Sequence, residues 1–113
     1  MKSHHRDLFS GLIRLHVLVH AAHEPIFGVA MMEELGHHGY RVGPGTLYPL
    51  LHGMEHRGWL KSSLENASGR NRRVYTITQS GRRALRQARL KVNELHYEMR
   101  EKHPRGISDL GEG

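Results

Sequence analysis

The chain has 113 residues, no cysteine and a net charge of +6 with histidine neutral. This length allows one hydrophobic core, and the absence of cysteine excludes disulfides and thiolate metal sites. The sequence contains neither a membrane-spanning apolar run nor a signal-peptide core in MKSHHRDLF, so a cytoplasmic location with no membrane partner is expected. The excess of Lys and Arg favours an anionic partner such as nucleic acid.

The first two predicted elements are helices. Apolar residues recur at steps of three and four from Asp7 to Ala22, which is typical of an amphipathic helix. Pro25 disfavours a helical backbone at Glu24, which predicts a break. A second helical pattern spans 28–38, and Gly39 after it suits a left-handed stop.

The third predicted helix starts at Pro44 and ends near Gly58. Proline suits the first turn because its missing N–H has no partner there. Pro49 and Gly53 lie further inside, where such residues cost about 3 and 1 kcal/mol relative to Ala. Something other than stability therefore shaped this helix. Its inward face is predicted to comprise Leu47, Leu50, Leu51, Met54 and Trp59.

Beyond Gly58 the apolar pattern alternates, which predicts two short strands. The first covers 60–65 and should turn Leu64 to the same side as Leu60. A turn cluster at 66–71 precedes the second strand, and the tip of the hairpin is expected at 69–72.

A fourth helix follows, with Thr78 as its cap. Its apolar residues alternate in steps of three and four, as in a coiled-coil seam, and so narrow a stripe suggests a partner helix. The domain limits predicted are 1–78 for the first unit, 79–102 for a dimerisation helix and 103–113 for a disordered tail. The residues expected to form the dimer contact are Leu8, Leu12, Leu85, Ala88, Val92, Leu95 and Met99.

Three helices followed by a hairpin are typical of a winged helix-turn-helix, so the fold class expected is mainly α with a small β-hairpin. In that fold the third helix enters the major groove. Pro44 and Gly45 allow close approach of the helix N-terminus to phosphate, and the hydroxyls of Thr46 and Tyr48 can donate to phosphates or bases. His52 and Arg57 lie further along the same helix.

The predicted hairpin, which forms the wing of this fold beside the third helix, is strongly basic. Between Glu65 and Glu94 the sequence has no acidic residue, whereas a solvated surface usually mixes its signs. Planar guanidinium groups at the tip can reach the phosphate backbone or the minor groove. The candidate contacts are Arg70, Asn71, Arg72 and Arg73.

Two strings, PGTLYPLLHGMEHRGWL at 44–60 and GRNRRVYTITQSG at 69–81, resemble the PadR family of transcriptional regulators. The resemblance runs from about Leu12 to Leu85. It implies a winged-helix homodimer of the family's short branch, in which one C-terminal helix dimerises and a small-molecule effector relieves repression. Gly43 and Gly53 depart from the family pattern, in which Ser caps the helix and a basic residue often takes the second position.

The histidines leave an alternative open. His16 and His20 are four residues apart on one helix, a spacing that permits joint ligation of a divalent metal, and His96 lies on the helix expected to pair with the first. These three are the candidate metal ligands of a metal-responsive regulator, although histidine-rich chains often carry them only as polar surface.

Catalysis is not expected, because the sequence lacks a nucleophile elbow and a phosphate-binding loop. Its helical acids, Glu34 and Glu55 among them, are interpreted as surface charges, and no cofactor is required. The leading hypothesis is a homodimeric repressor of a palindromic DNA operator. A rival is a protein-interaction module that never touches DNA.

Overall fold

The computed structural model describes residues 3–67 and 69–101. Over these ranges the chain forms helices around a small antiparallel sheet, which confirms the expected fold class. The predicted tail at 103–113 lies outside the described residues. In chain order the elements are α1 (Ser3–His23), β1 (Ile26–Phe27), α2 (Gly28–His37), α3 (Pro44–His56), β2 (Leu60–Ala67), β3 (Arg70–Ile77) and α4 (Gln79–Glu101).

Two glycines with positive φ end the helices that precede them. Gly39 has φ 90° after α2, and Gly58 has φ 85° after α3. In each case the N–H of the next residue reaches back to a carbonyl five residues earlier, at 2.9 Å from Tyr40 and 3.0 Å from Trp59. This closure satisfies helix-end carbonyls and needs a left-handed residue, so both predicted stops are confirmed.

The expected break after α1 is confirmed at Glu24 and Pro25, and a short strand that was not predicted follows it. Ile26 pairs with Tyr75 and Phe27 with Val74, which makes β1 an edge strand in the order β1-β3-β2. Two residues are too few to show an alternating pattern, so the sequence did not reveal this strand. Because β1 pairs with β3 and leads directly into α2, the start of α2 lies beside the hairpin.

The hairpin is longer than predicted. Its pairing runs from Leu60 opposite Ile77 to Ala67 opposite Arg70, and Gly69 adopts φ 73° at the tip. The turn thus lies inside the predicted cluster at 66–71 but is shorter, and the tip predicted at 69–72 is wrong from Arg70 onward, because those residues are already paired in β3. Backbone pairing needs no apolar face, so polar residues continue both strands. Leu64, four residues beyond the buried Leu60 on the same strand, is 63% exposed.

The core lies where α1, α2 and α3 meet the sheet. Of the inward face predicted for α3, Leu47, Leu51 and Met54 are buried, whereas Leu50 and Trp59 are only half-buried. Burial of one such side chain contributes about 1.5–3 kcal/mol. The largest fully buried side chains are Tyr75, Ile13, Leu35, Leu47, Leu51, Met54, Leu60 and Val17.

The fourth helix is anchored at its first turns. The Gly81 N–H donates to Thr78 Oγ1 at 2.9 Å, which confirms the predicted cap. A Cβ at Gly81 would collide with the Trp59 carbonyl oxygen. Leu85 is 7% exposed within the core, so its predicted place in a contact between chains is wrong.

Further along α4 the apolar side chains are exposed, with Val92 at 41%, Leu95 at 52% and Met99 at 72%. Ala88, between them and Leu85, is half-buried. The apolar stripe that the sequence suggested as one seam thus has two parts. Its start, at Leu85, packs within the chain, and its remainder, from Val92 to Met99, is exposed. None of the helices in the described residues is long and apolar enough to cross a membrane.

Candidate nucleic-acid interface

The outer face of α3 carries the polar side chains expected to meet DNA. While its apolar residues point into the core, Tyr48 is 38% exposed and His52 is exposed. Arg57 follows the last turn, and its guanidinium lies 5.7 Å from the centre of the Trp59 ring. The same guanidinium lies beside Gly53, 3.0 Å from the position that a Cβ would take. Arg57 therefore brings a cation to the place where Gly53 has no side chain.

The first turn of α3 is open to an incoming anion. Gly43 is its N-cap and supplies no side-chain hydrogen bond, while its carbonyl accepts from the N–H groups of Thr46 and Leu47 at 3.1 and 2.9 Å. Pro44 and Gly45 are exposed, and a Cβ at Gly45 would meet nothing within 4 Å. The positive end of the helix dipole therefore faces an unobstructed approach.

Tyr48 packs against the beginning of α2. A Cβ at Gly28 would fall on the Tyr48 phenol, so only glycine permits this contact at the observed distance. The tyrosine is consequently held on one side by the backbone of α2 and remains accessible on the other. An exposed aromatic supported in this way is a pre-positioned contact surface.

One groove brings the helix and the wing together. It has a volume of about 520 Å³ and is lined by Tyr48, by residues 70–73 and by the first turns of α2. The arginines differ in their contacts: the Arg72 guanidinium lies 3.9 Å from the centre of the Phe27 ring and 3.7 Å from Glu65 Oε1. Arg70, near the tip, forms no ion pair with another described residue. Contact of these side chains with DNA stays a prediction.

A hydrogen-bonded chain joins α3 to the wing. The Ser62 hydroxyl lies 2.9 Å from both carboxylate oxygens of Glu55, and the Ser62 N–H donates to Oε2 at 3.2 Å. Arg73 Nη1 in turn donates to the Ser62 hydroxyl oxygen at 3.1 Å. Glu55 is thus not the free surface charge inferred from the sequence, and Arg73 is oriented by the protein.

The predicted metal ligands do not form one group. Of His16, His20 and His96, only His20 belongs to the set of potential ligands that converge in the described residues, and its companions there are Glu34 and His38. His96 is exposed on α4, and its contribution across a dimer stays a prediction. The four-residue spacing of Glu34 and His38 was a usable signal, but the pairing of their helix with His20 was not visible in the sequence.

His16 lies beside this group without joining it. Its ring centre is 4.5 Å from that of His38 and 5.3 Å from that of Tyr40. Burial, followed by the neighbouring His38 and His20, lowers the pKa of His16 from its usual value. This environment favours the neutral form of His16, whose ring packs against that of His38.

Comparison with known proteins gives a consistent result. The model of the Transcriptional regulator PadR-like family matches residues 17–87. The chain is 46% identical over 94 residues to the Transcriptional regulator Rv3488 of Mycobacterium tuberculosis, covering 83% of this chain and 88% of that protein.

Solved structures agree with the sequence relatives. A PadR family transcriptional regulator from Eggerthella lenta superposes with a TM-score of 0.74 at 30% identity, over 88% of each chain. A PadR-like transcriptional regulator from Bacillus cereus gives a TM-score of 0.77 at 24% identity, over 84% of this chain and 94% of the other, which supports the fold.

Proposed function

This chain belongs to the PadR-like family of transcriptional regulators, and we propose that it is an effector-responsive homodimeric repressor of a palindromic DNA operator. In this proposal α3 enters the major groove and the hairpin of β2 and β3 lies against the flanking backbone. The protein acts in the cytoplasm, where its DNA is, and it regulates without catalysing a reaction.

One observation carries the DNA-binding proposal: Tyr48 and the basic strand residues 70–73 line a single groove. A recognition helix reads base edges while cations beside it neutralise phosphates, and both tasks require the two elements on one side of the molecule. The open first turn of α3 supports the same orientation, because the positive end of a helix dipole favours an anion such as phosphate.

The homodimer is supported by apolar surface that this chain leaves uncovered. On α1, Leu8 is 71% and Leu12 is 43% exposed, and the second half of α4 exposes the three seam residues Val92, Leu95 and Met99. Apolar stripes of this length on two helices usually mark an interface. Twofold symmetry would place two α3 helices about 34–36 Å apart, roughly one turn of DNA.

Selection of bound sequences from a random duplex pool tests the proposal. We expect enrichment of a palindrome whose half-sites are about one helical turn apart. Enrichment of a single unrepeated half-site would contradict the dimer. Retention that is independent of sequence, or no retention at low salt, would instead favour the protein-interaction module.

A further inference from the structure

Two histidines and a glutamate converge where the end of α1 meets α2. His20 Nε2 lies 3.5 Å and His38 Nε2 3.3 Å from the same oxygen, Glu34 Oε2. All three potential ligand atoms lie within 4.8 Å of one another. One residue of α1, one of α2 and the residue that follows α2 thus bring three potential ligand atoms together.

These separations match a known coordination geometry. Zinc binds imidazole nitrogen and carboxylate oxygen tetrahedrally at about 2.0–2.2 Å, which places neighbouring ligand atoms about 3.4 Å apart. The distances from His20 Nε2 and His38 Nε2 to Glu34 Oε2 already have this length. Small side-chain rotations can bring the two histidine nitrogens to the same separation from each other. We propose that His20, Glu34 and His38 bind a divalent transition metal ion such as Zn²⁺, with Nε2 of both histidines as ligand atoms.

The surroundings of the three ligands suit this role. His37 Nδ1 lies 4.0 Å from Glu34 Oε1, the carboxylate oxygen not directed at the other two histidines. The His16 ring packs against His38 on the protein side. Such neighbours orient ligands and typically change metal affinity about 10–100-fold when they are mutated. His16, whose ring packs against His38, is therefore a positioning residue.

The site is accessible and has room for a further ligand. The side chains of His20, Glu34 and His38 are 33%, 37% and 44% exposed, so an ion can enter from solvent. His20 and Glu34 also line a cavity of about 240 Å³, which can hold a water molecule as the fourth ligand. Imidazole favours zinc, cobalt or nickel over magnesium and calcium, which prefer oxygen ligands.

Metal binding here would join α1 to α2, the helix whose first residue, Gly28, supports Tyr48. An ion that holds α1 and α2 together would therefore restrain the position of α2, against which Tyr48 of the candidate recognition helix α3 packs. This regulatory consequence rests on the proposed function, whereas metal binding itself does not. Zinc titration without DNA tests the metal site alone. Operator binding measured with and without zinc tests the regulatory consequence, so either claim can be contradicted while the other stands.

The decisive experiment is calorimetric titration of the full chain with zinc at a pH of about 7.5, where an ordinary histidine is mostly neutral. Glu34→Gln removes the ligand charge without changing side-chain size, and Glu33→Gln is the matched control on the same helix. We expect zinc affinity to fall at least about tenfold in Glu34→Gln and to stay within about twofold in Glu33→Gln. Circular dichroism confirms that each variant is folded.

Nuclear magnetic resonance of the imidazole groups identifies the ligands independently. Zinc should shift the Nε2 signals of His20 and His38, and a His52→Ala variant should leave those shifts unchanged. Equal zinc affinity in wild type and Glu34→Gln overturns the proposal. It is equally overturned if zinc does not bind, or if it shifts only other histidines such as His52 and His56.

Discussion

The Glu55 carboxylate on α3 accepts hydrogen bonds from the hydroxyl and the backbone N–H of Ser62 on β2, at 2.9 and 3.2 Å. This contact fixes the angle between the helix and the hairpin, the two elements that line the candidate DNA-binding groove. Because Arg73 donates to the same hydroxyl, Ser62 links α3, β2 and β3. The geometry of the interface therefore depends on an acid that does not itself attract DNA.

Glu55→Ala should lower the free energy of unfolding by about 1–3 kcal/mol, because the Ser62 N–H loses a charged acceptor in a half-buried place. Urea denaturation followed by circular dichroism measures the change. Glu94→Ala, on the exposed part of α4, is the control and should stay within about 0.5 kcal/mol. Equal losses in the two variants would mean that the bond to Ser62 contributes nothing.

Gly28→Ala should destabilise the protein by about 1–3 kcal/mol, since its new methyl group overlaps the Tyr48 phenol. Gly36→Ala, in the same helix, meets nothing within 4 Å and should instead stabilise it by about 0.5–1 kcal/mol. Thermal unfolding of both variants gives the comparison. Adding Tyr48→Ala to Gly28→Ala should relieve the strain, and no relief would argue against the contact.

Arg70→Ala should weaken binding to every duplex and reduce the slope of log affinity against log salt by about 1, as expected for one lost phosphate contact. Tyr48→Ala should reduce operator affinity more than affinity for random duplex. Fluorescence anisotropy at several salt concentrations measures both effects, with Lys91→Ala on α4 as the control. Arg72→Ala is a less clean test, because it also removes the contacts with Phe27 and Glu65. If Arg70→Ala and Tyr48→Ala behave like Lys91→Ala, the groove is not the DNA contact.

Val92→Glu combined with Leu95→Glu should convert the proposed dimer into monomers, because two charges would be buried in an apolar interface without partners. Sedimentation velocity at matched concentration measures the state of association. Leu90→Glu is the control, since Leu90 is 71% exposed but lies off the seam. Dissociation by Leu90→Glu alone, with the double variant still dimeric, would move the interface to another face of α4.

Alkaline pH should destabilise the fold through Tyr75. Burial raises the pKa of Tyr75 above its usual value of 10.0, so the phenol loses its proton more readily in the unfolded chain. The stabilisation is therefore complete below pH 10 and is lost as the pH rises above it. Urea denaturation at pH values of about 8 and about 10.5 should show a smaller decrease for Tyr75→Phe than for wild type. Tyr97→Phe, which is exposed, should follow wild type.

The sequence by itself determined the order of the four helices and the hairpin, and several of their ends. Gly39 and Gly58 stop their helices and Thr78 caps α4, because these effects depend on backbone conformation within a few residues. The centre of the apolar face of α3, at Leu47, Leu51 and Met54, was also predicted, since a helix repeats its own period whatever it packs against.

Only the tertiary structure decided which residues meet across the chain. Leu85 and Val92 belong to the same repeating apolar pattern on α4, yet Leu85 packs in the core and Val92 is exposed. The reason is that α4 lies against the rest of the protein only at its first turns. Glu34 and Glu55 looked like similar helical acids, and each acquired its own partners from another element. Contacts of this kind depend on how helices and strands pack, which no local pattern of residues encodes.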